Sequence, residues 1–260
     1  MTYPVPLRLY KYKILNKYSR ALLSSPEMFF AKCSSFNDPF EGRPFITRES
    51  DLDILIEKRK LSVMRPPFNM DVAAAHAFAS EAITAAFSDE MADTTWKNHQ
   101  ASLEYAIERV GMLSLSAINN NVLMWSHYAK DHTGFCIEFD CESQGSYFND
   151  ARQVIYQSKY PRIEIFEKLG PVGLPSTQAA LLTKSTDWSY EQEYRIFAPA
   201  GPGMRPYPAD RMVGVYFGCR MSEGHKKAVK SLIRRRNHPV KMFQGRLHPS
   251  QYLVEFDQIG

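Results

Sequence analysis

The stretch SLSAINNNVLMWSHYAKDHTGFCIEFD, Ser114 to Asp140, decides how the chain is read. Together with the preceding Gly111 to Leu113 it begins as an alternating run. An extended backbone there sets Leu113 and Leu115 on one face and Ser114 and Ser116 on the other. Asn119 to Asn121 offers helix N-caps, and Val122 to Lys130 continues at helical spacing. On that helix Leu123 and His127 share a ridge, as do Met124 and Tyr128, and Trp125 and Ala129. Gly134 is the expected stop. Phe135 to Asp140 follows as a strand, with Phe135, Ile137 and Phe139 facing a core and Cys136, Glu138 and Asp140 opposite. This strand-helix-strand layout is expected to bring the faces of Ser116, His127 and Glu138 near each other. A segment built only for packing has little use for so many polar groups, because each one buried without a partner costs about 1–3 kcal/mol. The stretch is therefore expected to line a pocket.

Upstream of this unit, Leu7 to Tyr12 alternates as a first strand, Asn16 to Ser25 is a short helix or turn, and Met28 to Ala31 is a second strand. Asn37-Asp38-Pro39 requires a loop, since the residue before a proline is pushed out of the helical region. The loop places Asn37, Asp38, Glu41 and Arg43 beside Phe36 and Phe40, either as a pocket edge or as an Asx-turn anchored by two aromatics. Asp51 to Lys60 and Asp71 to Val110 carry apolar residues at helical spacing and are interrupted by Arg65-Pro66-Pro67. His76, Trp96 and His99 inside them are assigned to packing or surface.

Downstream, Gln153 to Gln157 is a short strand, Pro161 to Pro175 a mixed connection and Thr177 to Lys184 a helix. If Gln192 to Phe197 is extended, Glu191, Glu193 and Arg195 share one face. That face is either a solvated set of ion pairs or a carboxylate held and oriented by an arginine in a cleft. Met212 to Gly218 is an apolar strand buried on both faces, Ser222 to Arg236 an amphipathic helix capped by Ser222, and Gln251 to Phe256 a last strand. The three arginines ending that helix suit its macrodipole. The fold class expected is α+β: a mixed, largely antiparallel sheet core with a helical lobe inserted near residues 50–110, in one domain spanning 1–260.

With 260 residues and 44% hydrophobic content the chain can bury a large core, and a net charge of +4 is too small an excess to imply a polyanion partner. Four irregularly spaced cysteines fit a reducing cytoplasm rather than a disulfide scaffold. No apolar run reaches the ~18 residues of a membrane span, and no membrane partner is expected. The motifs also narrow the chemistry. HExxH is absent and His127 and His132 lie five apart, so zinc is not indicated. There is no GxSxG elbow, no Walker lysine signature, and nothing near Cys136 that marks a thiolate. Aromatics, Asn, Ser, His and carboxylates without an evident metal suit a polar small molecule or nucleotide bound by stacking and hydrogen bonds.

LYKY near the start, FNDPFE at 36–41, SLSxxxxNxLMWSHYAxxHxGFCIEFD at 114–140 and WSYEQEYRI at 188–196 resemble, in order along nearly the whole chain, the bacterial family called domain of unknown function 2971. A more distant similarity is to the ADP-ribosyltransferase fold, including DNA-modifying toxins of bacterial defence systems. Those carry a polar residue on an early strand, Ser-x-Ser on a middle strand and a catalytic Glu, often Glu-x-Glu, on a late one. LYKY, Ser114-Leu115-Ser116 and Glu191-Gln192-Glu193 occur here in that order. Where such enzymes have His or Arg on the first strand, the nearest residues are Arg8 and Lys11. The resemblance implies cleavage of the nicotinamide-ribose bond of NAD, with transfer to a nucleic acid or protein acceptor, in phage defence or a toxin system. It implies Glu193, with Glu191 and His127, as the catalytic set. Arg195 or Tyr194 supports Glu193, and Ser116 orients it. Trp125, Tyr128 or Tyr10 stacks on nicotinamide, Lys11 belongs to the NAD site, and Asn37 and Asp38 edge the acceptor or NAD site. Two alternatives stand beside it: a non-catalytic module binding a nucleotide or a partner, and a metal-dependent nuclease using Asp38, Glu138 and Asp140.

Overall fold

The alternation of Gly111 to Ser116 and of Phe135 to Asp140 becomes two strands flanking a third in one eight-stranded sheet. The computed structural model describes residues 4–47, 52–88, 91–142, 147–164 and 175–259. In chain order the strands are β1 (Arg8–Lys13), β2 (Glu27–Phe30), β3 (Phe45–Thr47), β4 (Gly111–Ser116), β5 (Phe135–Asp140), β6 (Arg152–Gln153) and β7 (Ile155–Gln157). They continue as β8 (Arg162–Glu164), β9 (Thr183–Ser185), β10 (Glu193–Ala198), β11 (Gly203–Pro206), β12 (Met212–Phe217), β13 (Lys241–Leu247) and β14 (Val254–Ile259). The helices are α1 (Lys17–Ser24), α2 (Leu52–Val63), α3 (Val72–Ala86), α4 (Ala92–Glu108), α5 (Val122–Tyr128), α6 (Pro175–Leu182) and α7 (Glu223–Ile233). The class is α+β, and α2 to α4 form the expected helical insertion.

The main sheet runs β14-β13-β12-β5-β1-β4-β10-β6 and is antiparallel except between β12 and β13. The period-2 pattern fixes its faces. Leu9, Leu113, Leu115, Ile137, Phe139, Val215 and Phe217 pack with Leu22 and Leu23 of α1 and with Val229 and Ile233 of α7. On the opposite face Trp125 of α5 packs with Tyr12, Cys136 and Tyr216, while Leu103 and Ile107 of α4 pack with Met112 and Leu181. Burying both faces explains why Met212 to Phe217 is apolar without alternating. Among the described residues no helix is long and apolar enough to cross a membrane.

One junction in the sheet is incomplete. β1 pairs with β5 over six residues and β4 with β10 over six, yet β1 and β4 meet only at Tyr10↔Ser116 among the described residues. Beyond that pair the strands part, and Lys11 Nζ reaches across to donate to the Ser114 carbonyl at 2.6 Å. The sheet is thus split at its centre, and the split positions the site.

The helix-to-strand turn that brings α5 over this split has strict demands. Asn121 Oδ1 caps α5, accepting from the backbone N–H groups of Leu123 at 2.9 Å and Met124 at 3.1 Å. After α5, Lys130, Asp131 and His132 adopt φ of 48°, 51° and 66°, an unusual left-handed succession for residues with a Cβ. Gly134 then passes so close to other backbone that a Cβ there would stand 2.3 Å from the Lys13 carbonyl oxygen and 2.9 Å from that of Ala129. Gly134→Ala is therefore expected to destabilise the protein by about 1–3 kcal/mol, read as a lower urea midpoint; an unchanged midpoint would contradict this packing.

Some elements differ from expectation. The helix expected over Thr177 to Lys184 ends at Leu182, and Thr183 to Ser185 pairs in parallel with β7 instead. Lys184 leaves the helix because its ammonium is drawn to three buried carboxylates. The last strand lies at Val254–Ile259 rather than at Gln251 to Phe256, and β13 was not expected at all. The arginine-rich end of α7 is partly an internal clamp, because Arg236 donates to the carbonyls of Leu23 at 3.0 Å and Ala209 at 3.1 Å. Residues 165–174 of the expected mixed connection lie outside the described residues.

Candidate functional site

Where β1 and β4 part, a cleft of about 460 Å³ opens. Tyr10 and Lys11 come to it from β1, Ser114 and Ser116 from β4, and His127 and Tyr128 from α5. Phe36 and Asn37 bring the loop before the Asp-Pro turn, β9 contributes Lys184, and Glu191 and Glu193 close the far wall. Eight residues expected from the sequence thus share one cleft: Tyr10, Lys11, Asn37, Ser116, His127, Tyr128, Glu191 and Glu193. Glu191 reaches it from the end of a 3-10 turn, Thr186–Glu191, rather than from a strand, because Gln192 turns left-handed at φ 43° before β10 starts. Ser116 fixes that turn, its Oγ donating to the Glu191 carbonyl at 2.6 Å.

Three expected residues lie elsewhere. Trp125 is fully buried, its ring edge-on to Tyr12 at 5.3 Å and its Nε1 donating to the Asn119 carbonyl at 2.7 Å, so it cannot stack on a ligand. Asp38 is buried in the loop, where Oδ1 accepts from the Phe40 N–H at 2.9 Å in an Asx-turn, and it lines a neighbouring groove rather than this cleft. Arg195 stands behind Glu193, away from solvent. Glu138 also misses the cleft: it accepts from the Tyr216 hydroxyl at 2.9 Å and pairs with Arg8 at 3.5 Å. Asp140 pairs with Arg8 and Arg211, and the geometry does not assemble Asp38, Glu138 and Asp140 into one ligand set.

Behind the cleft lies a buried ionic network that the sequence showed only in part. Arg195 Nε and Nη2 donate to the two Glu193 carboxylate oxygens, each at 2.9 Å, a bidentate fork. Nη2 also lies 2.6 Å from Glu41 Oε1, and Nη1 donates to the Leu181 carbonyl. Lys184 Nζ lies 2.5 Å from Glu191 Oε2, 3.4 Å from Glu193 Oε2 and 3.8 Å from Glu41 Oε2. The Tyr128 hydroxyl donates to Glu191 Oε1 at 2.5 Å. Lys184 was missed because its apolar neighbours read as helix. The one hint is a lysine within an otherwise apolar and small-residue stretch, a placement that requires an acidic partner if buried.

Three carboxylates therefore face the cations Lys184 and Arg195 in a nearly dry setting, and they titrate apart. Burial raises the Glu193 carboxyl, but Arg195 and then Lys184 override it and hold it down to about 2. Burial raises Glu191, and the neighbouring Glu193 charge adds to this against the pull of Lys184. Burial likewise raises Glu41 against Arg195. One carboxylate is held down by its cations while a second on the same cleft is raised by burial, a separation of the kind acid-base chemistry uses.

Lys11 adds a titration of its own. Burial, and next the Lys13 charge, lower its ammonium to about 7, with Glu193 opposing; burial lowers Lys13 as well. In the unfolded chain a lysine titrates near ~10.4. Between about 7 and that value the unfolded state binds the extra proton, so folding stability rises with pH through the window. Lys11→Met is expected to make that rise shallower between about pH 7 and 9. Urea midpoints of both proteins across the window measure it, and parallel curves would contradict the depressed Lys11.

No curated protein and no solved structure matches the chain, and no match to an ADP-ribosyltransferase was found. The family match is narrower than the chain-long resemblance expected from the motifs: LYKY, FNDPFE and Ser114 to Ser116 fall outside it. Residues 124–196, from α5 through Lys184, Glu191 and Glu193 to Ile196 on β10, match the family model described as "Protein of unknown function (DUF2971)".

Proposed function

We propose that the cleft binds NAD and breaks its nicotinamide-ribose bond, passing ADP-ribose to an acceptor. The observation that carries this reading is the row Tyr10↔Ser116↔Glu193 across three adjacent strands, at the point where the sheet splits. A stacking aromatic, an orienting hydroxyl and an ionised carboxylate thus share one register at one cleft.

The chemistry follows from those groups. As the ribose C1′–N bond breaks, its electron pair leaves with nicotinamide, whose ring becomes neutral, and the ribose becomes an oxocarbenium ion. Glu193, held near 2 by Arg195 and Lys184, stays charged to stabilise that cation. The acceptor's lone pair forms the new bond to C1′, and its proton passes to Glu191, whose carboxyl is raised by burial. Tyr10 and Tyr128 offer ring faces for nicotinamide. His127, whose Nδ1 lies 3.0 Å from the Tyr190 hydroxyl, shapes the entrance.

Nicotinamide release from NAD by the purified protein, compared with Glu193→Gln, tests this. Release by the native protein and its loss in the variant are expected; equal release by both would overturn the role of Glu193. A second reading, binding of a nucleotide without turnover, is favoured by one fact. Both Glu193 oxygens are already engaged by Arg195. It predicts saturable NAD binding with no nicotinamide released.

A further inference from the structure

Beside the cleft runs a larger, open groove of about 1540 Å³. We propose that this groove is a track for single-stranded nucleic acid and that such a strand is the acceptor; the second half rests on the NAD reading above. Phe40, Phe45 and Tyr160 line it and stand 60%, 55% and 42% exposed. Interleaved with them are the exposed Arg43, Lys159 and Arg162, none of which forms an ion pair among the described residues.

Large rings left in water beside unpartnered cations have no folding rationale, since neither apolar burial nor charge pairing is gained. They fit an unstacked polynucleotide. Cations follow the phosphates, and ring faces stack on bases whatever the sequence. A duplex would present no free base faces to these rings. An acidic protein surface would use the cations but not the flat rings between them. Of the acidic groups on the groove, Asp38 and Glu41 are buried and only Asp187 is exposed, so the accessible charge favours a polyanion.

The groove and the cleft share a wall. Lys184 lines both cavities, and the successive residues Tyr190 and Glu191 face the groove and the cleft respectively. A base laid across the groove near Tyr190 would stand next to the carboxylate assigned to take the acceptor's proton.

The test is fluorescence anisotropy of labelled single-stranded DNA and RNA and of a duplex, over a salt series and without NAD. Binding of at least one single strand is expected. The triple variant Arg43→Glu, Lys159→Glu, Arg162→Glu should weaken it at least about ten-fold and flatten the log K against log salt slope by about 2. Phe40→Ala with Phe45→Ala should weaken it about five-fold or more at an unchanged slope. These positions are exposed, and circular dichroism checks that both variants fold. No binding by the native protein at low salt, native-like binding by both variants, or an equal preference for duplex would overturn the groove. Because NAD is absent, loss of binding leaves the NAD reading standing, whereas intact binding without nicotinamide release refutes the reaction alone.

Discussion

Arg195→Met is expected to destabilise the protein by about 3–5 kcal/mol at neutral pH, a large part of a typical domain's stability. Arg195 is fully buried and donates to Glu193 through two nitrogens, lies 2.6 Å from Glu41, and donates to the Leu181 carbonyl in the last turn of α6. Methionine fills similar space but leaves three buried carboxylates facing Lys184 alone. Removing one partner of a buried pair is costly even where replacing the whole pair is not. The pH dependence carries a sign that loss of packing would not. In the native protein Glu193 is held down to about 2, so its stabilising contribution is present above the ordinary glutamate range and lost as pH falls through about 2. Without the guanidinium, burial raises the Glu193 carboxyl, and the variant should regain stability as pH falls from about 8 to about 5 and the carboxylates take up protons. Urea unfolding at both pH values measures the effect. A variant as stable as the native protein at pH 8 would show that the network is incidental.

Glu193→Gln is expected to reduce nicotinamide release from NAD by about 100-fold or more, the scale of removing one group that stabilises charge developing in a transition state. Glutamine keeps the size and can still accept from Arg195, but it cannot oppose a positive ribose. Folding should survive better than in Arg195→Met. Glu41 and Glu191 then face Lys184 and Arg195, two charges against two, so the network is balanced rather than stripped. Affinity for NAD should change less than turnover, because the stacking groups Tyr10 and Tyr128 are untouched. A parallel loss of binding and turnover would instead make Glu193 a ligand contact.

The legible parts of this fold were those where local pattern and burial coincide. Gly111 to Ser116 and Phe135 to Asp140 alternate because one sheet face closes on the core, and Asn121 announces α5 by supplying the cap its first turn lacks. Strand β13 was not legible, since KMFQGRL mixes charge with apolar residues and is held by its neighbours β12 and β14. Trp125 shows a similar limit for the site. Helical spacing places it on a ridge but cannot tell whether that ridge meets a cleft or, as here, Tyr12, Phe256 and His132. The split itself was hidden too, because it depends on where β1 stops pairing with β4, a property of neighbours distant in sequence. Eight of the residues singled out in the sequence do share one cleft, since polar side chains on buried strands have few other places to go.

The most direct test is a single time course of nicotinamide release from NAD by the purified protein beside its Glu193→Gln variant, both checked for fold and for NAD binding. Steady release by the native protein and about 100-fold slower release by a variant that still binds NAD is the expected result. Saturable binding with no release from the native protein, or equal release by the two, would contradict NAD cleavage at the split of the sheet.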